Sequence, residues 1–121
     1  MLVVNRFLVA ESAEAVDEFT VRAGEALAAL AACPGYLGGR LGRALDEPEH
    51  WMLVTEWSSV GAYRRALGAF DVKVRATPLL AQSLPEPSAY EILAGTDETG
   101  QVVTADSDRA DAPNRTLRSP T

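Results

Sequence analysis

Few side chains in this sequence combine a hydrogen-bonding or reactive group with an apolar setting. Asn5 interrupts the run Leu2-Val3-Val4-Asn5-Arg6-Phe7-Leu8-Val9 and, by the two-residue period of an extended chain, shares a face with Val3, Phe7 and Val9. A buried amide has to be hydrogen-bonded. If that face meets helices, Asn5 lines a pocket and can bind a ligand oxygen; a bond to neighbouring backbone satisfies it equally. Trp57 closes the run His50–Trp57, where it wedges against the next element and needs an acceptor for its indole N–H. Tyr63 stands at helical spacing from Leu67 and Phe70, ordinary core spacing, and offers a phenolic donor if it points into a cavity. Arg64-Arg65 and Lys73-x-Arg75 would steer an anionic or phenolate ligand towards a pocket mouth, although solvated helix faces look the same.

The chemistry open to such a set is narrow. The single histidine, His50, and the single cysteine, Cys33, read as surface and helix-end residues, and no His, Cys, Asp and Glu group has metal-ligand spacing. No Gly-rich segment resembles a phosphate loop and no Gly-x-Ser-x-Gly elbow occurs. An amide, a phenol and an indole among apolar side chains suit a small apolar ligand that carries few polar groups.

The elements that must position these residues follow from the apolar pattern. Residues 2–9 are rich in β-branched and aromatic residues and read as a strand. Ser12 is a plausible N-cap for a helix whose apolar side is Val16, Phe19, Ala23, Leu27 and Leu30, ended by Pro34-Gly35. Residues 36–45 and 50–57 form a hairpin across Asp46-Glu47-Pro48-Glu49. Ser58 or Ser59 caps a second helix carrying Tyr63, Leu67 and Phe70, which runs on through Val72, Val74, Leu79 and Leu80 and is opened or kinked at Pro78. Pro85 and Pro87 break it, and residues 88–93 are the last strand.

The order β-α-β-β-α-β predicts a ferredoxin-like α+β fold, with helices on one face of an antiparallel sheet. The first and third strands are apolar at both parities: Leu2, Val4 and Leu8 oppose Val3, Phe7 and Val9, and Trp51, Met52, Leu53 and Val54 run without a polar break. A sheet with one wet face alternates instead. A second copy of the same sheet is the simplest cover, so a symmetric homodimer is expected. Arg40 and Arg43 on the second strand are as ready to pair with acids across that dimer as to bind a ligand.

With 121 residues the chain suits one core, and 17 acids against 11 bases give a net charge of −6, which argues against nucleic acid as a partner. No apolar run approaches the length that crosses a bilayer, and the first residues have no basic leader, so a cytoplasmic protein with no membrane partner is expected. Residues 1–94 form the expected domain. Residues 95–121 hold five acids, three arginines and few large apolar side chains, and are read as a disordered acidic tail.

The stretches Val3-Val4-Asn5-Arg6-Phe7, Pro34-Gly35-Tyr36-Leu37-Gly38-Gly39, Trp51 through Ser59, and Ala62-Tyr63 together resemble the antibiotic biosynthesis monooxygenase family across residues 2–94. The family-like features are a Pro-Gly-aromatic start to the second strand and a Thr-Glu-Trp-Ser-Ser end to the third. The resemblance implies a dimeric α+β barrel with a pocket in each subunit between sheet and helices. Some members oxygenate polyketide phenols or quinols without metal or flavin, and others bind and degrade haem. The polyketide branch looks like Asn-x3-Trp-x5-Tyr at this strand end; Trp57 and Tyr63 match, but the amide position is Leu53. The haem branch looks like an Asn matched by Asn5, with a Trp and a ligating His that fall on Ala66 and Ala76, so the axial ligand is missing.

These readings converge on a cofactor-independent monooxygenase that oxidises a small apolar phenol, quinol or polyketide-type aromatic with O₂. Tyr63 and Asn5 are its candidate catalytic residues, and Asn5, Phe7, Leu53, Trp57, Tyr63 and Leu67 its candidate pocket, with no metal and no cofactor. The alternatives are a non-catalytic accessory protein that binds a small ligand in the same place and, disfavoured by Ala66 and Ala76, a haem protein.

Overall fold

The computed structural model describes residues 1–107, which divide into a unit of residues 1–90 and a second unit that begins at Glu91. The first unit runs β1 (Leu2–Leu8), α1 (Ala13–Ala31), β2 (Tyr36–Arg43), β3 (His50–Trp57), α2 (Val60–Leu67), α3 (Phe70–Arg75), α4 (Thr77–Leu80) and β4 (Ala89–Tyr90). Its sheet has the order β2-β3-β1-β4 with every pair antiparallel, the ferredoxin-like arrangement that the element order predicts.

Local chemistry sets the element ends. Ser12 Oγ accepts the Ala15 N–H at 3.2 Å to start α1, and Ser59 Oγ accepts the Ala62 N–H at 3.0 Å to start α2. Gly35 links α1 to β2 at φ 88°, a conformation that side chains with a Cβ rarely adopt. A Cβ there would also lie 2.5 Å from Ala62 Cβ and 2.8 Å from Ser58 Oγ, so the missing side chain lets the start of α2 sit against the β2 entry. Gly35→Ala is therefore expected to destabilise the fold by at least about 1–3 kcal/mol, read as a lower urea midpoint at unchanged slope. An unaltered midpoint would mean that this close approach contributes nothing to stability.

Along β3 burial alternates: Trp51, Leu53, Thr55 and Trp57 are buried while Met52 and Glu56 are exposed. The buried parity faces the helices, where Val3 and Phe7 of β1 join Phe19, Ala23, Ala26 and Leu30 of α1 and Ala62, Ala66, Val72, Ala76 and Leu79 of the later helices. The small side chains let the helices approach closely, and the aromatic ones fill the space that remains.

Three expectations are corrected. Phe70 does not share the apolar face of Tyr63 and Leu67. Gly68 caps α2, Ala69 is extended at φ −68°, ψ 142°, and Phe70 opens a separate helix with 78% of its surface exposed, because counting across the break loses the helical phase. The last strand is not residues 88–93: only Ala89 and Tyr90 pair, opposite Val3 and Leu2 at the start of β1. Residues 95–104 are not structureless. In the second unit β5 (Ala94–Thr96) pairs with β6 (Val102–Thr104) around a turn in which Asp97 Oδ1 accepts the Thr99 N–H at 2.8 Å and Gly100 adopts φ 81°. Those bonds from Thr99 hold the Asp97 carboxyl below its usual range. The tail residues 108–121 lie outside the described residues.

Candidate functional site

The helix-facing side of the sheet carries the candidate residues in rows set by strand register. Asn5 stands directly opposite Leu53, Val3 opposite Thr55, and Phe7 opposite Trp51. On the far side of β3, Leu41 faces Leu53, Gly39 faces Thr55 and Tyr36 faces Trp57. Cross-strand partners have their Cβ atoms about 4.5–5.5 Å apart. The Asn5 amide therefore occupies the position next to the one where the polyketide motif has its own amide and this chain has Leu53.

Asn5 is half-buried on a face whose other members, Val3 and Phe7, are buried, and its side chain makes no hydrogen bond to another described residue. The backbone-bonded alternative for this amide is thus not the arrangement observed. Leu53 and Phe7 are core residues, exposed by 1% and 2%. Leu67 is half-buried against the core.

Trp57 is completely buried, and its Nε1 donates to Thr55 Oγ1 at 2.8 Å. The partner that the indole requires comes from two residues earlier on the same strand face. Tyr63 of α2 packs on Trp57 with ring centroids 5.6 Å apart, and Tyr36 meets it edge-on at 5.3 Å. Tyr63 is half-buried, and burial pushes its hydroxyl above the ordinary tyrosine range. A phenol so shifted stays protonated at neutral pH. It can donate a hydrogen bond to an oxyanion and is a poor base.

The structure thus brings Trp57 and Tyr63 into contact, places Asn5 beside Leu53 in register, and draws in two residues that sequence reasoning did not select. Thr55 was legible as the one polar residue at the buried parity of β3. Tyr36 needed the β2–β3 register, because nothing in its local sequence says that it faces Trp57.

Elsewhere, Arg43 lies over the Trp51 ring, its guanidinium carbon 5.1 Å from the centroid, so this arginine packs on the indole of its own chain. Trp51 Nε1 is buried with no hydrogen-bond partner among the described residues. Arg6, on the opposite face of the sheet, makes a two-point pair with Glu86 at 2.5 and 3.1 Å, which lowers the Glu86 pKa and raises that of Arg6. The β2–β3 turn brings ligand atoms of Glu47, Glu49 and His50 within 4.8 Å of one another, with His50 Nε2 3.0 Å from Glu47 Oε2. Spacing alone does not single out that trio, in which Glu47 is exposed and Glu49 and His50 are half-buried, and it lies at the opposite end of β3 from Trp57. Ala66 and Ala76, where the haem-type Trp and His would fall, are both buried among apolar neighbours.

Residues 1–73 match the family described as antibiotic biosynthesis monooxygenase. SnoaB from Streptomyces nogalater, a cofactor-independent oxygenase, is 30% identical over 69% of this chain and 82% of its own, with a TM-score of 0.58. A conserved protein from Methanosarcina mazei Go1 is 22% identical over 73% of this chain and 84% of its own, with a TM-score of 0.58. A protein from Bacteroides thetaiotaomicron is 17% identical over 80% and 93%, with a TM-score of 0.59. The last two similarities speak for the fold alone. No curated protein matches the chain. No helix among the described residues is long and apolar enough to cross a membrane.

Proposed function

The chain belongs to the antibiotic biosynthesis monooxygenase family, and from that premise we propose that it is a cofactor-independent oxygenase of an apolar phenol, quinol or anthrone. The observation that carries the reading is that the Asn5–Leu53 register pair and the Trp57–Tyr63 contact share the helix-facing side of the sheet, with the Val3–Thr55 row between them. An amide and a protonated phenol both lie on the helix-facing side of the sheet, and the amide is displaced by one strand from the position that Leu53 has lost. The likeness to SnoaB, itself described as a cofactor-independent oxygenase, supports the same reading.

In this scheme the substrate supplies the electrons. An anthrone loses a proton and becomes an oxyanion whose negative charge is shared with its reactive carbon. Tyr63 and Asn5 donate hydrogen bonds to the oxyanion and hold it against the apolar floor of Phe7 and Leu53, while Leu67 helps to exclude water. Electron transfer to O₂ and recombination form a C–O bond at the reactive carbon. Loss of that carbon's remaining hydrogen with O–O cleavage leaves a carbonyl there, and the second oxygen atom departs as water. Each O₂ is consumed with one anthrone and gives one quinone and one water.

Because Tyr63 acts as a neutral donor, the rate should climb with pH through the substrate's own ionisation, with no inflection from an enzymic base in the neutral range. The sign for stability follows from the same shift. Burial favours the neutral phenol, so its contribution is present below the ordinary tyrosine range and is lost as pH rises through the elevated value.

The test is oxygen consumption by metal-stripped protein with phenols, quinols and anthrones, measured against autoxidation without protein. Acceleration is expected. Its absence across the panel, with ligand binding retained, would replace the oxygenase by a non-catalytic binding protein. Tyr63→Phe should lower kcat about ten- to a hundredfold, the worth of one hydrogen bond to a charged oxygen, while leaving the thermal midpoint close to the parent's. Parental turnover in that variant would remove Tyr63 from the chemistry.

A homodimer formed through the sheet face opposite the helices, acting in the cytoplasm, belongs to the same proposal. Leu2, Val4, Met52 and Val54 stand on that face, and Met52 is 42% exposed.

A further inference from the structure

β2 contains three devices that converge on the hydroxyl of Tyr36. A register irregularity between Tyr36 and Gly38 puts one extra residue, Leu37, into the strand. Tyr36 therefore still faces Trp57, and Gly39 rather than residue 38 takes the next helix-facing position, opposite Thr55. The Tyr36 ring stands edge-on to Trp57 and reaches along β2 towards Gly39. At Gly39 a Cβ would collide with Tyr36 Oη and would lie 2.9 Å from Leu27 Cδ2 and 3.2 Å from Thr55 Cγ2. A glycine in a strand interior weakens the strand, and one recurring reason for it is the close approach of another group. Here the group is a phenolic oxygen.

The hydroxyl so placed makes no hydrogen bond to another described residue, and Tyr36 is half-buried. Thr55 Oγ1 accepts from Trp57 Nε1, and Tyr36 Oη lies beside the Thr55 row with its own donor free among the described residues. The next row towards the other end of the sheet is Leu41, Leu53 and Asn5. Tyr36 Oη thus lies on the helix-facing side of the sheet, between the Trp57 row and the row in which the motif's amide has become Leu53.

We infer that Tyr36 is a further substrate-binding and specificity-determining residue: its hydroxyl, held over Gly39 and against Trp57, donates a hydrogen bond to a phenolate oxygen of the ligand. The inference rests on the reading of this face as the site of an apolar phenol. It goes beyond that reading by selecting ligands with an ionisable oxygen near the β2 side over their O-methylated counterparts.

The probe is 4-nitrophenol, whose phenolate is read by its visible absorbance. A donor at the phenolate oxygen lowers the pKa of the bound phenol relative to the free one. The parent is expected to bind 4-nitrophenolate in preference to 4-nitroanisole. Tyr36→Phe, which keeps the ring edge on Trp57, should weaken phenolate binding about ten- to a hundredfold, leave 4-nitroanisole affinity within about twofold, and raise the bound probe's pKa. A role in packing alone would weaken both ligands together and leave the bound pKa unmoved. Gly39→Ala, which displaces the hydroxyl but retains the phenol, should repeat the loss of preference if the variant keeps the parent's near-ultraviolet circular dichroism.

Equal affinity of parent and Tyr36→Phe for the phenolate overturns the inference, as does failure of the folded parent to bind either probe at millimolar concentration. If the parent binds the phenolate through Tyr36 but accelerates no oxygen uptake, the oxygenase reading falls and the assignment of Tyr36 stands. If oxygen uptake is accelerated and Tyr36→Phe changes neither the bound pKa nor the preference, the assignment of Tyr36 falls and the oxygenase stands.

Discussion

Trp57→Ala is expected to cost about 3–5 kcal/mol of stability, a large share of the roughly 5–15 kcal/mol that holds a typical domain together. Trp57 is fully buried, and its removal leaves a cavity between the edges of Tyr36 and Tyr63. It also leaves Thr55 Oγ1, buried on the same strand face, without its donor. A marked fall in the urea midpoint at unchanged slope is the expected observation. Trp57→Phe should recover much of the loss, because a ring still fills the space, but not the part that belongs to Thr55. If alanine leaves the midpoint at the parent's value, Trp57 is not the wedge between β3 and α2 described above. This effect acts through the fold, so activity lost in Trp57→Ala says nothing about chemistry, whereas Tyr63→Phe changes one oxygen atom and can be read as catalysis.

Val54→Glu should convert the proposed dimer into a folded monomer. Val54 pairs directly with Val4 at the middle of the sheet face opposite the described helices, between Leu2 and Glu56 on one side and Arg6 and Met52 on the other. Both valines are half-buried, and Met52 and Leu8 of the same parity are 42% and 58% exposed. Covering this face with a second copy removes apolar surface from water, at about 25 cal/mol per Å². Two-fold symmetry introduces the new carboxylate twice, and each must be stripped of water at the interface even with Arg40 directly opposite it on β2. Weakening of association on the order of a thousandfold or more is expected. Sedimentation at micromolar concentration should show a dimer for the parent and a monomer with unchanged circular dichroism for the variant. A monomeric parent would sink the homodimer, and an undiminished dimer in Val54→Glu would move the interface to another face.

The element order, the strand faces and both serine caps were legible because each depends on near neighbours in the chain. Burial alternates along β3 with the two-residue period, and Ser12 and Ser59 cap helices whose first turns follow at once. Spacing puts Phe70 with Tyr63 and Leu67, but helical phase carries across Ala69 only if the helix does, and a backbone extended at one residue resets it. The last strand is shorter than its β-forming residues suggest because its length depends on where β1 begins, which is information from the other end of the unit. In the segment after Gly95, the Asp97–Gly100 turn closes a short ladder that composition does not register.

By itself the sequence determined which residues face together along one strand or one helix, the ferredoxin-like order of the elements, and a short inventory of polar groups in apolar settings: Asn5, Trp57 and Tyr63. These follow from periods of 2 and 3.6 residues, which are properties of the local backbone. Only the tertiary structure decided which strand lies beside which and in what register. Register sets Asn5 across from Leu53 and Tyr36 across from Trp57, gives the indole its acceptor in Thr55, and makes Gly39 the floor beneath a phenolic oxygen. Pairing between strands is set by the summed burial of whole faces and by a single extra residue at Leu37, and no local spacing encodes that sum.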